Sequence, residues 1–376
     1  VSTIGTAATY DAPALTATTT YRRVTTSTLG SVGCSANTND VTVTVNTAVT
    51  GGTIAAAQTL CSGGDPAAFT STAAATGGGT LAYAWKYSTD SYVSTLGTAA
   101  TYDAPSGLAA TTTYRRVATY TQNSITCSAN SNDIVVTINS ITPGTISAAQ
   151  TICNGGNPAA FTQSGTSGSG TLSYAWKHSA DSYVSTIGTA ATYDAPALTA
   201  TTTYRRVTTS TLGSVGCTAN TNDVTVTVQA VPTGGTIAAA QTVCSGGDPA
   251  AFTQTAASTG SGTLSYAWKY STDSYVSTLG TATTYDAPSG LAATTTYRRI
   301  TTSTLGTNTC TANSNDITVT VNSITAGTIA SAQSICSGGD PAAFTQSGTS
   351  GSGTLSYAWK SSADGYSATL GTAATY

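Results

Sequence analysis

Four tryptophans, Trp85, Trp176, Trp268 and Trp359, lie 91, 92 and 91 residues apart. Two sets of cysteines keep the same interval. Cys61, Cys153, Cys244 and Cys336 are spaced by 92, 91 and 92 residues, and Cys34, Cys127, Cys217 and Cys310 by 93, 90 and 93. Self-similarity at a fixed period is the signature of a repeat architecture. Each unit is also long enough to bury a core of its own. A second period of 183 residues lies over the first: Val1 to Asn46 matches Val184 to Gln229 at 44 of 46 positions. Odd units carry Pro13-Ala-Leu-Thr-Ala, and even units the longer Pro105-Ser-Gly-Leu-Ala-Ala. Two alternating domain types were therefore duplicated together.

The phase of the repeat divides the chain at 1–46, 47–139, 140–229, 230–322 and 323–376. The middle three segments are expected to be complete domains. The first is the C-terminal part of a repeat and the last the N-terminal part of one. The expectation is a window onto a longer array.

Composition decides the fold class. Glu and Met are absent, which removes strong helix formers, and Thr, Val, Ile and Tyr favour pleated surfaces. Within a unit, Leu264, Tyr266, Trp268 and Tyr270 alternate with Ser265, Ala267 and Lys269, a period-2 strand with an aromatic core face. Ile317, Val319 and Val321 alternate with threonines in a closing strand. Short strands separated by Gly/Pro turns, in a unit near 100 residues, point to an Ig-like β-sandwich. The expected architecture is all-β, with tandem Ig-like sandwiches arranged end to end as an extended rod. Its core is expected to hold Trp85, Trp176, Trp268 and Trp359 with Tyr21, Tyr114, Tyr204 and Tyr297.

Charge excludes several functions. Only 7% of residues are charged, and the net charge is −3. The basic residues are four lysines and the pairs Arg22-Arg23, Arg115-Arg116, Arg205-Arg206 and Arg298-Arg299. No dense basic patch suggests nucleic acid, and no apolar run approaches the ~20 residues of a membrane span. The lone His178 occupies a position that varies between copies, and reads as a solvated side chain. With no Glu and no nucleophile elbow, the chain reads as a non-enzyme. The Arg pairs read as structural, stacked on a ring or paired with Asp. The Asp residues read as turn caps, with calcium at the junctions the alternative. No other cofactor is expected.

The eight cysteines have no accompanying histidine cluster, so they read as disulfides of an oxidising compartment. Pairing within a unit joins Cys61 to Cys127, Cys153 to Cys217 and Cys244 to Cys310. Pairing in sequence order, beginning with Cys34 and Cys61, is the alternative. The first is expected, because the second joins points that lie far apart if the domains run end to end.

One ordered set of motifs resembles a known family. Cys-Ser-Gly-Gly-Asp-Pro-Ala-Ala-Phe, Tyr-Ala-Trp-Lys, Thr-Tyr-Asp-Ala-Pro, Thr-Thr-Tyr-Arg-Arg-Val and Asn-Asp-Val-Thr-Val-Thr-Val follow one another in the units. Together they resemble the Ig-like/PKD-like repeats of giant Bacteroidota surface adhesins, including SprB-like gliding-motility adhesins exported by type IX secretion. The resemblance implies an extracellular, cell-surface location and a role in adhesion or fibre building. The expected function is a stalk that carries a binding tip away from the cell. Its partners are neighbouring repeats of the same chain and, through a missing tip, surface glycans. A self-assembling filament with lateral association is one alternative. A glycan-binding module is another, with Tyr92, Tyr183 and Tyr275 as its exposed aromatics. No membrane insertion is expected in this segment.

Overall fold

The computed structural model describes residues 2–376. The protein is all-β, and its only helical residues among those described form four single 3₁₀ turns. Tandem Ig-like sandwiches follow one another along the chain, with further strands before and after them.

The middle complete unit illustrates why the sequence folds this way. Its long strand, Thr202–Leu212, alternates strictly. Thr202, Tyr204, Arg206, Thr208 and Ser210 are buried, and the residues between them face outward. The tryptophan strand, Thr171–His178, runs antiparallel along one edge of it. Two partners share the other edge. The hairpin strand Val215–Asn220 pairs with Val207–Leu212, and the closing strand Val224–Gln229 pairs with Thr202–Tyr204. A short strand, Gln150–Cys153, adds in parallel to the closing strand. Across from this sheet, Thr145–Ile146 pairs with Gln163–Ser164, and Phe161 bridges to Tyr193.

Between the layers lie Ile146, Phe161, Trp176, Ala195, Tyr204, Val224 and Val226. Trp176 is fully buried, and its Nε1 donates to the carbonyl of Ala190 at 2.9 Å. Phe161 packs against Trp176 and Tyr204 with ring centroids 5.7 and 4.9 Å away. Each such large apolar side chain contributes roughly 1.5–3 kcal/mol. Trp85 with Tyr114, and Trp268 with Tyr297, occupy the same places. Trp359 and Tyr21 are half-buried.

A side chain joins the two layers at the first strand. Asn222 Oδ1 accepts from the Ile146 amide at 2.8 Å, and its Nδ2 donates to the Ile146 carbonyl at 3.3 Å. The amide thus imitates a neighbouring strand. Asn132 and Asn315 do the same for Ile54 and Ile237.

Candidate functional site

The junction between units is where the chain concentrates its unusual chemistry. Within a unit, the closing strand and the hairpin meet opposite halves of the long strand. In the first complete unit, Cys127 pairs across from Tyr120, Thr112 from Val136, and Asn139 from Cys61. Following that register, about eleven strand residues separate Cys61 from Cys127, or about 35 Å at ~3.3 Å per residue. A bond needs Cα atoms within about 7 Å.

The disulfides therefore differ from both pairings expected from sequence. Cys61 bonds Cys217, and Cys153 bonds Cys310. Each joins the strand that lies beside one unit's closing strand to the hairpin of the next unit. The within-unit pairs Cys61–Cys127, Cys153–Cys217 and Cys244–Cys310 do not form. The sequential alternative fails also, for Cys34, Cys127, Cys244 and Cys336 are free.

A buried amide lies beside each bond. Asn139 ends a closing strand and is fully buried. Its Nδ2 donates to the carbonyls of Ser210 and Val215 at 2.8 and 3.0 Å, while Ser210 Oγ donates to its Oδ1 at 2.7 Å. At the next junction Gln229 replaces it. Gln229 Nε2 donates to Ser303 O at 3.0 Å, and Asn308 Nδ2 donates to its Oε1 at 3.0 Å. Asn139 also continues directly into Ser140, which exchanges hydrogen bonds with Ser169. Gly168 and Gly260 are required for this fit: a Cβ on either would lie 2.7–2.9 Å from Ser210 or Ser303. The signal in the sequence was the polar residue that ends the closing strands of the complete units, Asn139, Gln229 and Asn322.

The Arg pairs divide their labour. Arg115, Arg205 and Arg298 each grip Asp133, Asp223 or Asp316 with two hydrogen bonds. Their guanidinium groups lie 3.9–4.0 Å over the rings of Tyr92, Tyr183 and Tyr275. Those tyrosines, expected to be exposed, are half-buried and already capped by a cation. The second arginines, Arg116, Arg206 and Arg299, are fully buried with no carboxylate partner. Arg206 donates to the carbonyls of Ala191 and Pro143 at 2.8 and 2.9 Å and to Thr166 Oγ1 at 2.7 Å. It also lies 4.5 Å over Tyr174. Burial lowers its proton affinity.

The loop after each tryptophan strand is closed by one acid and one base. Lys177 Nζ donates to the Val184 carbonyl at 2.7 Å. Asp181 accepts from the amides of Val184 and Ser185 at 3.2 and 2.7 Å. The Ser185 amide is the main cause that holds the Asp181 carboxyl below its ordinary range, against a smaller opposing effect of burial. A carboxylate with a lowered native pKa stabilises the loop above its unfolded pKa. That contribution is lost as pH falls through the native value. At neutral pH, Asp181→Ala is expected to speed amide exchange at Val184 and Ser185. Below the ordinary carboxylate range the wild type should approach the variant. His178 is half-buried rather than solvated: its ring centroid lies 6.2 Å from that of Tyr204, and its Nε2 is 3.7 Å from Asp181. Among the described residues, no three of His, Cys, Asp and Glu come together to hold a metal ion. No helix among them is long and apolar enough to cross a membrane.

A family model described as Domain of unknown function (DUF8696) matches residues 50–140, 142–230, 233–323 and 325–376. The chain belongs to that family. The DUF8696 units begin near the first strand and close just after the junction amide, so the family unit coincides with one sandwich. No curated protein matches the chain. Among solved structures, three N-terminal domains of the bacteriophage RB49 highly immunogenic outer capsid protein are 14% identical with a TM-score of 0.36. That similarity covers 69% of this chain and 96% of the other. Titin I-band fragment I67–I69 is 10% identical with a TM-score of 0.36, over 70% and 95%. Sidekick-1 immunoglobulin domains 1–5 are 14% identical with a TM-score of 0.27, over 75% and 61%.

Proposed function

We propose that this row of DUF8696 domains is a structural stalk of a large repetitive cell-surface adhesin, which holds a binding tip away from the cell. The observation that carries the reading is the double fastening of each complete junction. A disulfide and a buried amide fix one unit's closing end to the next unit's hairpin. Such a chain transmits position and tension and needs no catalytic group. Stable disulfides belong to oxidising, extracellular surroundings. The adhesin role, including surface adhesion or gliding motility, follows the resemblance of the repeat motifs, with unit boundaries at 47, 140, 230 and 323.

Small-angle scattering across a concentration series tests this. The stalk should keep the cross-section of one sandwich at every concentration. A cross-section that thickens with concentration would overturn the stalk in favour of lateral filaments.

A further inference from the structure

The two disulfides have different neighbours, although both lie at junctions between complete units. Val215 opens the hairpin strand that carries Cys217, and Asn308 opens the equivalent strand that carries Cys310. Asn308 Nδ2 lies 3.5 Å from Cys310 Sγ, 3.7 Å from Cys153 Sγ and 3.0 Å from Gln229 Oε1. The isopropyl group of Val215 has nothing to donate to the sulfurs beside it.

The repeats within the chain show that Asn308 and Gln229 are a matched pair. The position of Asn308 holds Val32, Ile125 and Val215 in the other copies. The position of Gln229 holds Asn46, Asn139 and Asn322. The one amide at a hairpin start thus meets the one glutamine at a closing end, 79 residues away in sequence. At the other junction the shorter Asn139 turns its Nδ2 to the carbonyls of Ser210 and Val215.

The orientation of the two amides follows from their partners. A backbone carbonyl only accepts, so the Ser303 carbonyl holds Gln229 with Nε2 toward it. The same nitrogen donates to Ser303 Oγ at 3.0 Å. Gln229 Oε1 therefore faces Asn308, and Asn308 presents its nitrogen to Gln229 and to the sulfurs. One Nδ2 hydrogen goes to Oε1, and the other is left for the disulfide.

An N–H matters little to a disulfide, whose sulfurs accept weakly, and much more to a thiolate. A donor that favours the thiolate makes that sulfur a better leaving group in thiol–disulfide exchange. Cys310 and Cys217 are 4% and 3% exposed, so burial opposes a thiolate equally at both. Cys153 and Cys61 are both half-buried, so the two bonds are open to attack to a similar degree. The donor at position 308 is the difference between them.

We propose that Cys153–Cys310 is an exchange site for small-molecule thiols such as glutathione, while Cys61–Cys217 is a fixed bond. A glutathione thiolate attacks Cys153 Sγ and forms a mixed disulfide there. The bond between the two cysteines breaks, and Cys310 leaves as a thiolate held by Asn308 Nδ2–H. A second glutathione thiolate attacks the mixed disulfide and releases oxidised glutathione with the Cys153 thiolate. The protons of the two glutathione thiols end on the two cysteines. Opening the bond frees the hairpin strand Asn308–Asn313 from Gln150–Cys153 and leaves the Gln229 amide to hold the junction. The inference stands apart from the stalk reading, which two equally inert bonds would leave intact.

The test treats the folded, oxidised chain with excess reduced glutathione after its free thiols have been alkylated. Samples are quenched at intervals with a second alkylating agent of different mass, and the peptides are mapped. Cys153–Cys310 is expected to open about tenfold faster than Cys61–Cys217, the scale of a hydrogen bond to a charged group. Glutathione adducts should gather on Cys153. Asn308→Val installs the residue of the other junction and should erase the difference, with thermal unfolding of the oxidised chain near that of the wild type. Asn139→Gln with Val215→Asn should bring the fast opening to Cys61–Cys217. Bonds that open together in the wild type, or an order that Asn308→Val leaves unchanged, would overturn the proposal. So would a double variant in which Cys61–Cys217 stays slow.

Discussion

Pulled from its two ends, the oxidised chain is expected to gain no more than about 220 Å of contour between Cys61 and Cys310, at ~3.5 Å per extended residue. The fully reduced chain should gain up to about 870 Å there on the same rise. The difference follows from covalent paths. The two disulfides enclose overlapping loops, 61–217 and 153–310. Tension enters at Cys61 and crosses directly to Cys217. From there the shortest route runs back along the chain to Cys153, then across to Cys310. That route contains the 64 residues from 153 to 217, whereas the reduced chain offers all 249 from 61 to 310. Either disulfide alone leaves a route of 92 or 93 residues, or about 320 Å at the same rise. Cys61→Ser with Cys217→Ser, and Cys153→Ser with Cys310→Ser, should thus give nearly equal lengths. Each bond also closes a loop whose entropic effect on the unfolded chain is about 5 kcal/mol in the loop-entropy picture. Force spectroscopy with and without reductant reads these lengths directly. Equal lengthening in both conditions would show that the bonds do not lie in the load path.

Local rules made much of this visible in the sequence. The tryptophan strand and the closing strand are period-2 patterns, and burial follows their phase. The outward and inward arginines were separable for the same reason, since Arg206 shares the phase of Tyr204 and Arg205 does not. The cysteine partners were not visible. Spacing reports the phase of a cysteine within its unit, while pairing depends on which end of one sandwich meets which end of the next. Cys61 and Cys127 share a unit but stand at opposite ends of its sheet. Asn139 was missed because a polar residue at a strand end reads as a turn, and only the following unit buries it. Tyr183 was misread as exposed because its backbone lies in the left-handed region, φ 64°, which turns the ring beneath Arg205.

The buried arginine predicts the largest loss from a single substitution. Arg206→Ala is expected to destabilise the middle unit by about 3–5 kcal/mol, the sum of a cavity and of orphaned acceptors. The guanidinium fills space under Tyr174 and donates to three separate segments, at Pro143, Thr166 and Ala191. Removing it leaves the part-buried Ala191 carbonyl without its donor and deprives Pro143 of one of its donors, Thr166 remaining. Arg206→Lys should recover little, because a point charge with no planar fork cannot reach the carbonyls of Ala191 and Pro143 together. Arg206→Met should recover the packing and leave the Ala191 carbonyl unpaired, so it should fall between wild type and alanine. Hydrogen exchange along Thr202–Leu212 locates the effect. Protection should fall there and remain in the long strand of the following unit, where Arg299 makes the equivalent bonds to Thr283 and Gly234. Unchanged protection in Arg206→Ala would mean that the cation is merely enclosed. The distinction matters because Arg206 is disfavoured as a cation by its burial and has an Nε without a partner. A charge so placed persists only if its remaining donors offset the desolvation. In doing so they tie the long strand to the opposite layer, beside the packed rings of Phe161, Trp176 and Tyr204.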